Sequence, residues 1–191
     1  MAVLYFKYLY PEAIIDCYEP DKETFAILEK NVKANNFTNV RCINEAVAGE
    51  TGELEFYSFG DMEWGPGNTL EKSQVNFKNV NTYKVKASTL SDKNYSHIDF
   101  LKIDIEGAEG KVFTNLEESG LIKHVDRISL EYHYDKWLSH NSLSDILAVF
   151  EKNNMHVIVN ANNLVTFYIS QKSFDKRHHK YVIMLDAYRQ K

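Results

Sequence analysis

The chain lacks most of the features that mark a specialised class of protein. Cysteine is scarce: only Cys17 and Cys42 occur in 191 residues, and nothing near them has the spacing of metal ligands. Both lie in apolar, strand-like runs, which reads as buried free thiols in a reducing compartment. No Pro/Gly/Ser-rich linker, internal repeat or low-complexity tract divides residues 1–191, so a single domain with a full core is expected. No apolar run is long enough to span a bilayer. Met1–Tyr10 is apolar but has neither a basic lead-in nor a small-residue cleavage site, and a cytoplasmic location is the expectation. Positive charge is also short. A net charge of −5 argues against a nucleic-acid binder that works by neutralising phosphates. The one basic cluster, Lys176-Arg177-His178-His179-Lys180, reads as a solvated turn or as a contact to an anionic acceptor. The histidines His97, His124, His140, His156, His178 and His179 show no metal spacing, so no metal is expected.

What is present centres on Ile98-Asp99-Phe100-Leu101-Lys102-Ile103-Asp104-Ile105-Glu106-Gly107-Ala108-Glu109. A short apolar run gains acids at its end and breaks at a glycine before a helical pattern. Such a run predicts a strand buried on both faces in a parallel sheet. Ligands of open α/β sheets bind just beyond the carboxyl ends of such strands.

The remaining pattern alternates. A helix over residues 1–10 ends at Pro11, and a strand follows over Ala13–Tyr18. Pro20 suits the first turn of a helix whose buried face carries Phe25, Leu28 and Val32, fading at Asn35-Asn36. Val40–Val47 reads as one strand. Residues 53–58 and 82–87 alternate apolar and polar and are expected to pair as an antiparallel flap, joined by a turn-rich loop at Gly60–Asn68. A helix from about Gly107 to Ser119 stops at Gly120. Asp126–His133 is a further strand, and Ser142 with Asp145 caps a helix burying Leu143, Ile146, Leu147 and Phe150. Met155–Val159, Leu164–Ile169 and Tyr181–Leu185 close the chain as strands. The order predicts an α/β fold: a doubly wound, mostly parallel sheet with an inserted hairpin and an antiparallel C-terminal edge.

Three strand ends carry acids: Glu19, Glu45, and Asp104 with Glu106. A carboxylate at such a position suits the two ribose hydroxyls of a nucleotide, because it offers two acceptor oxygens to neighbouring donors. Taken alone, Glu19 is equally well explained as a partner of a helix dipole. Several strings then resemble the FkbM-type methyltransferases: Tyr18-Glu19-Pro20-Asp21, Asn44-Glu45-Ala46-Val47-Ala48, Gly65-Pro66-Gly67-Asn68-Thr69-Leu70, Asp99 to Glu109, and Ile128-Ser129-Leu130-Glu131-Tyr132-His133. The Lys102–Glu109 string is the most specific of them, and the resemblance covers most of residues 11–135.

The resemblance implies S-adenosylmethionine as cofactor, with Glu19 on its ribose, Glu45 and Ala46 along the adenine, and Asp104 near the methionine end. It also implies methylation of a hydroxyl on a small-molecule or glycan acceptor. In-line transfer asks mainly for alignment, worth ~7–11 kcal/mol by effective-molarity arguments, and a base adds roughly 10²–10⁴-fold. Asp104 and His133 are the candidate bases, each with a structural alternative: a helix cap for Asp104, a hydrogen-bonded core histidine for His133. Trp64 and Asn68 are candidates for the acceptor pocket.

One part of the family pattern is missing. A strand ending in an acid and a glycine-rich turn, expected before the first helix, is absent from residues 1–191. It would lie centrally, between the strands ending at Glu19 and Asp104, so an N-terminal truncation and weak cofactor binding are expected. Two other classes stay open: a non-catalytic remnant of the fold, and a nicotinamide-dependent oxidoreductase using Glu19, which lacks a Tyr-x-x-x-Lys pair.

Overall fold

The computed structural model of the chain describes residues 2–58, 68–72, 80–135, 140–160 and 180–190. Trp64, the expected strand Leu164–Ile169 and residues 176–179 of the basic cluster lie outside the described residues.

Helix α1 (Ala2–Leu9), strand β1 (Ile15–Tyr18), helix α2 (Lys22–Ala34) and strand β2 (Val40–Ile43) open the chain. β1 and β2 run parallel with Ile15 opposite Val40 and Cys17 opposite Cys42, the pairing that a helical crossover permits. The two cysteines are free thiols, Sγ to Sγ 3.7 Å. Pro20 lies just outside α2, which starts two residues later at Lys22. Asp21 is its N-cap, accepting the Thr24 amide at 2.8 Å, so a carboxylate meets an otherwise unpaired helix donor.

The single strand expected over residues 40–47 is two strands in different sheets. β2 stops where Asn44 donates its side-chain amide to the carbonyls of Glu19, at 2.8 Å, and Pro20, at 3.1 Å. β3 (Ala46–Val47) then pairs with β5 (Asn81–Ser88), whose other edge takes β4 (Gly52–Ser58). β4 and β5 are antiparallel, with Leu54 opposite Val85 and Phe56 opposite Tyr83. This is the flap that the alternation predicted.

The third sheet holds β6 (Leu101–Ile103), β7 (Arg127–Asp135), β9 (Lys180–Tyr188) and β8 (His156–Asn160), in that order. β6 and β7 are parallel, while β9 is antiparallel to both β7 and β8. The antiparallel finish follows the expectation. α3 (Glu109–Glu118) and α4 (Leu143–Lys152) supply Val112, Phe113, Leu116, Ile146 and Phe150 to the core. They pack in one cluster with Ile128, Leu130 and Tyr132, which alternate along β7 and are each 0% exposed. At ~1.5–3 kcal/mol per buried large side chain, this cluster dominates the stability of the described fold.

Three expectations change here. β6 is three residues long and is not buried on both faces: Ile103 is buried, Lys102 is exposed, and Phe100 just before it is 38% exposed. Among the described residues β6 pairs only with β7, and β1 only with β2. Among the described residues the strands therefore form three sheets, β1–β2 parallel and the other two mixed, and one continuous sheet is not seen there. Helix α3 starts at Glu109 instead of Gly107, because Glu106 (φ 55°) and Gly107 (φ 104°) are left-handed and cannot continue a right-handed helix.

α3 also lies unusually close to the segment before α4. A Cβ placed on Gly110 would meet the His140 carbonyl oxygen at 2.1 Å. Alanine in a helix is ordinarily favoured over glycine by about 1 kcal/mol. Here backbone overlap reverses the sign, and Gly110→Ala is expected to destabilise the fold by ~1–3 kcal/mol. Urea unfolding of the two proteins checks this, and a stabilised variant would contradict the packing.

Candidate functional site

The parallel register of β6 and β7 gathers polar residues on one face. Leu101, Lys102 and Ile103 lie opposite Ile128, Ser129 and Leu130, and successive side chains alternate between faces. Lys102 and Asp104 therefore share a face with Ser129, Glu131 and His133, while Ile128, Leu130 and Tyr132 enter the core. This alternation brings the two expected bases, Asp104 and His133, together with Glu106. The nearest ligand-type atoms of these three side chains all lie within 4.8 Å of one another.

His133 is the best-held member. Its Nδ1 lies 2.9 Å from Oε1 of Glu109, a carboxylate with 0% exposure, and its Nε2 lies 3.3 Å from Glu106 and 3.8 Å from Glu131. Burial alone would lower its pKa. The hydrogen bond to Glu109 and the charges of Glu106, Glu109 and Asp104 outweigh burial and raise it to about 9. Glu106 and Glu131 are both pushed up, chiefly by burial. Asp104 is more open and pairs with Lys102 at 3.0 Å. With Lys102 paired to Asp104 the group is an ion-pair cluster, and Asp104, Glu106 and His133 are also close enough to share a cation. His97, which showed no metal spacing in the sequence, also meets acids: Asp99 and Asp126, both at 3.6 Å.

Glu109 and Asn141 were missed by sequence reasoning as site residues. Glu109 was visible within the Glu106–Glu109 string but without a role. Asn141 carries no local signal beyond preceding a capping serine; its importance comes from the docking of residues 140–142 on α3.

Glu19 ends β1 as expected. It is half-buried, and burial raises its pKa. Its Oε1 accepts the Asp21 amide at 2.9 Å, and Oε2 has no recorded protein partner among the described residues. Glu45 accepts Lys93 at 2.6 Å and Ser88 at 2.8 Å, and the Lys93 bond is the main cause of its lowered pKa. Ala46 is buried in β3 opposite Ala87. Asn68 is partly buried beside Thr69, whose Oγ1 donates to the Glu106 carbonyl at 2.7 Å. The flap thus touches the turn that carries Glu106. A cavity of about 600 Å³ opens between β4 and α3, lined by Leu54, Tyr57, Glu71, Lys111 and His140, but by none of Glu19, Asp104 or His133. Its buried acid, Glu71, is already paired with Lys111 at 3.0 Å and His140 at 3.1 Å.

Comparison with known proteins places this geometry in a family context. The profile of the methyltransferase FkbM domain matches residues 8–174. "Methyltransferase 1" of Beauveria bassiana (strain ARSEF 2860) is 27% identical over 139 residues, which is 62% of this chain and 55% of that protein. The chain thus spans about half the length of that curated relative. The crystal structure of methyltransferase FkbM from Methylobacillus flagellatus KT superposes with a TM-score of 0.58 at 12% identity, covering 98% of this chain and 40% of that one. At that identity the likeness is one of fold.

The His133 pairing makes stability depend on pH. A histidine whose folded pKa is about 9, against ~6.5 unfolded, adds stability that is fully present below pH ~6.5 and lost as pH rises through about 9. The contribution is on the order of 3 kcal/mol. Urea midpoints at pH 6 and pH 9.5 should converge between the wild type and His133→Gln as pH rises. A gap that stays constant with pH would contradict the pairing.

Proposed function

The chain belongs to the FkbM methyltransferase family, and from that premise we propose that it transfers a methyl group from S-adenosylmethionine to a hydroxyl oxygen of a sugar or small metabolite. The observation that carries this reading is the convergence of Asp104 and His133 at the carboxyl ends of two adjacent parallel strands. Ligands of α/β sheets bind beyond such ends.

The donor set suits the cofactor. Glu19 is half-buried at the end of β1, and among the described residues its Oε2 meets no protein donor, which fits the hydroxyls of a ribose. Glu45 and Ala46 are the proposed flank of the adenine, and Asp104 the neighbour of the methionine end. When bound, S-adenosylmethionine supplies a methyl group made electrophilic by its sulfonium. Alignment of the acceptor oxygen falls to the chain, with Asp104 or His133 taking the hydroxyl proton. Asn68, next to the Thr69 that bonds Glu106, and Trp64 are the proposed acceptor contacts.

The sheet edges support a further element. β1 and β6 each have an edge without a strand partner among the described residues, and Ile14 and Phe100 beside them are 86% and 38% exposed. The segments beside these edges touch one another: Tyr95 bonds Tyr18 at 2.8 Å, and the Phe6 and Phe100 rings pack tilted at 5.1 Å. A parallel strand from outside residues 1–191, ending in a glycine-rich turn, would fill this region in a doubly wound arrangement. Backbone amides at such a turn approach the cofactor closely.

Calorimetric titration of S-adenosylmethionine tests the reading. The 191-residue chain is expected to bind weakly, and a chain extended by such a strand tightly. Glu19→Ala should weaken binding at least tenfold, or ~1.4 kcal/mol. NADH binding in place of S-adenosylmethionine by the extended chain would overturn the proposal. If His133 is the base, methyl transfer should rise about tenfold per pH unit up to about pH 9. A rate flat over that range would assign the proton to Asp104 instead.

A further inference from the structure

The fully buried carboxylate of Glu109 is the least expected group in this chain. Burying an unpaired carboxylate is very costly, so such a group persists only where donors satisfy it. Three do so here. The Gly107 amide donates to Oε1 at 3.0 Å, His133 Nδ1 meets the same oxygen at 2.9 Å, and Asn141 Nδ2 donates to Oε2 at 2.7 Å.

Asn141 is itself locked. Its Oδ1 accepts the Gly110 amide at 2.8 Å, and its Nδ2 also donates to the His133 carbonyl at 2.8 Å. Tyr132 donates its hydroxyl to the Asn141 carbonyl at 2.6 Å. A backbone N–H can only donate, so the Gly110 contact settles which end of the Asn141 amide is oxygen. The same logic passes along the chain of bonds. Nδ2 must donate to Glu109, an ionised Glu109 can only accept, and Nδ1 of His133 must therefore carry a proton. When His133 is neutral, its basic atom is Nε2, the atom facing Glu106 and Glu131 on the Asp104 side of the sheet.

We propose that Glu109 and Asn141 are positioning residues for His133, together fixing the Nδ1–H tautomer and aiming Nε2 at the acceptor. The catalytic part of this assignment rests on the methyl-transfer reading above; the tautomer assignment does not. A buried hydrogen-bonded histidine without this role would need a partner but would not need an amide whose orientation is settled independently by the backbone. Among the described residues the charged groups around the ring are Asp104, just after β6 and paired with Lys102, Glu106 from the following turn, Glu109 from α3 and Glu131 from β7. The high pKa of His133, about 9, agrees with this ring of acids.

Nitrogen-detected NMR of the His133 ring, on the full chain with no ligand added, reads the tautomer directly. In the wild type the neutral form above pH 9 should be almost wholly Nδ1–H. Glu109→Gln keeps the shape and removes the charge; it should lower the His133 pKa by more than one unit and give a mixture of tautomers. Glu109→Asp should restore part of the shift. A neutral wild-type ring carrying its proton on Nε2 would overturn the assignment, and needs no variant to fold. An unchanged His133 titration in Glu109→Gln would also overturn it. Methyl-transfer profiles of the extended protein then test the catalytic part. The pH dependence should move down with the NMR pKa in Glu109→Gln, and Asn141→Ala should lower kcat by at least tenfold with the KM for S-adenosylmethionine unchanged. A shifted NMR pKa with an unmoved rate profile would overturn the catalytic part alone. Absence of any methyl transfer would sink the reading under Proposed function, while the NMR result would still decide the link between Glu109 and His133.

Discussion

A carboxylate removed from water constrains the centre of this molecule. Glu109 is 0% exposed, and desolvating its charge is tolerable only if every oxygen finds a donor. That requirement holds the Gly107 amide in place and ties β7 to α3 through His133. Through Asn141 it also anchors the segment leading into α4. The tight approach of Gly110 to His140 is part of the same arrangement, because Asn141 cannot reach both Gly110 and Glu109 from farther away. The core of Val112, Phe113, Ile128, Leu130 and Phe150 beneath it provides the bulk of the stability, and the polar clamp above decides which side chains face the site.

Electrostatics then gives the site its character. The face shared by Lys102, Asp104, Glu131 and His133 gathers more negative than positive groups, with Glu106 and Glu109 added from the turn and helix. Burial and mutual repulsion raise the pKa of Glu106 and Glu131, and the same field holds His133 in its charged form. On the proposed reading, a methyl donor with a sulfonium would be attracted to such a region and would in turn favour the loss of a proton from His133.

Much of this was legible in the residues. The Asp99–Glu109 string announced a strand, a turn and a helix, though not that the strand pairs on one side only among the described residues, and the alternation of residues 53–58 and 82–87 announced the flap that forms as β4 and β5. The errors have physical causes. Apolar periodicity could not show that Val40–Val47 breaks at Asn44, because the break depends on side-chain bonds to Glu19 and Pro20, distant in sequence. It could not show the left-handed turn at Glu106 either, since only Gly107 advertises that backbone state. Asp104 and His133 were readable as strand-end polar residues. Glu109 and Asn141 were not, since their roles arise only when α3 and residues 140–142 are packed against β7.

The most direct test of where the cofactor binds is a chemical-shift map of the chain titrated with S-adenosylmethionine at millimolar concentration, which detects weak binding. Binding beyond the strand ends predicts that the largest changes fall on Glu19, Asp104, Glu106 and the His133 ring. Changes confined to Leu54, Tyr57, Lys111 and His140, around the cavity between β4 and α3, would contradict the account.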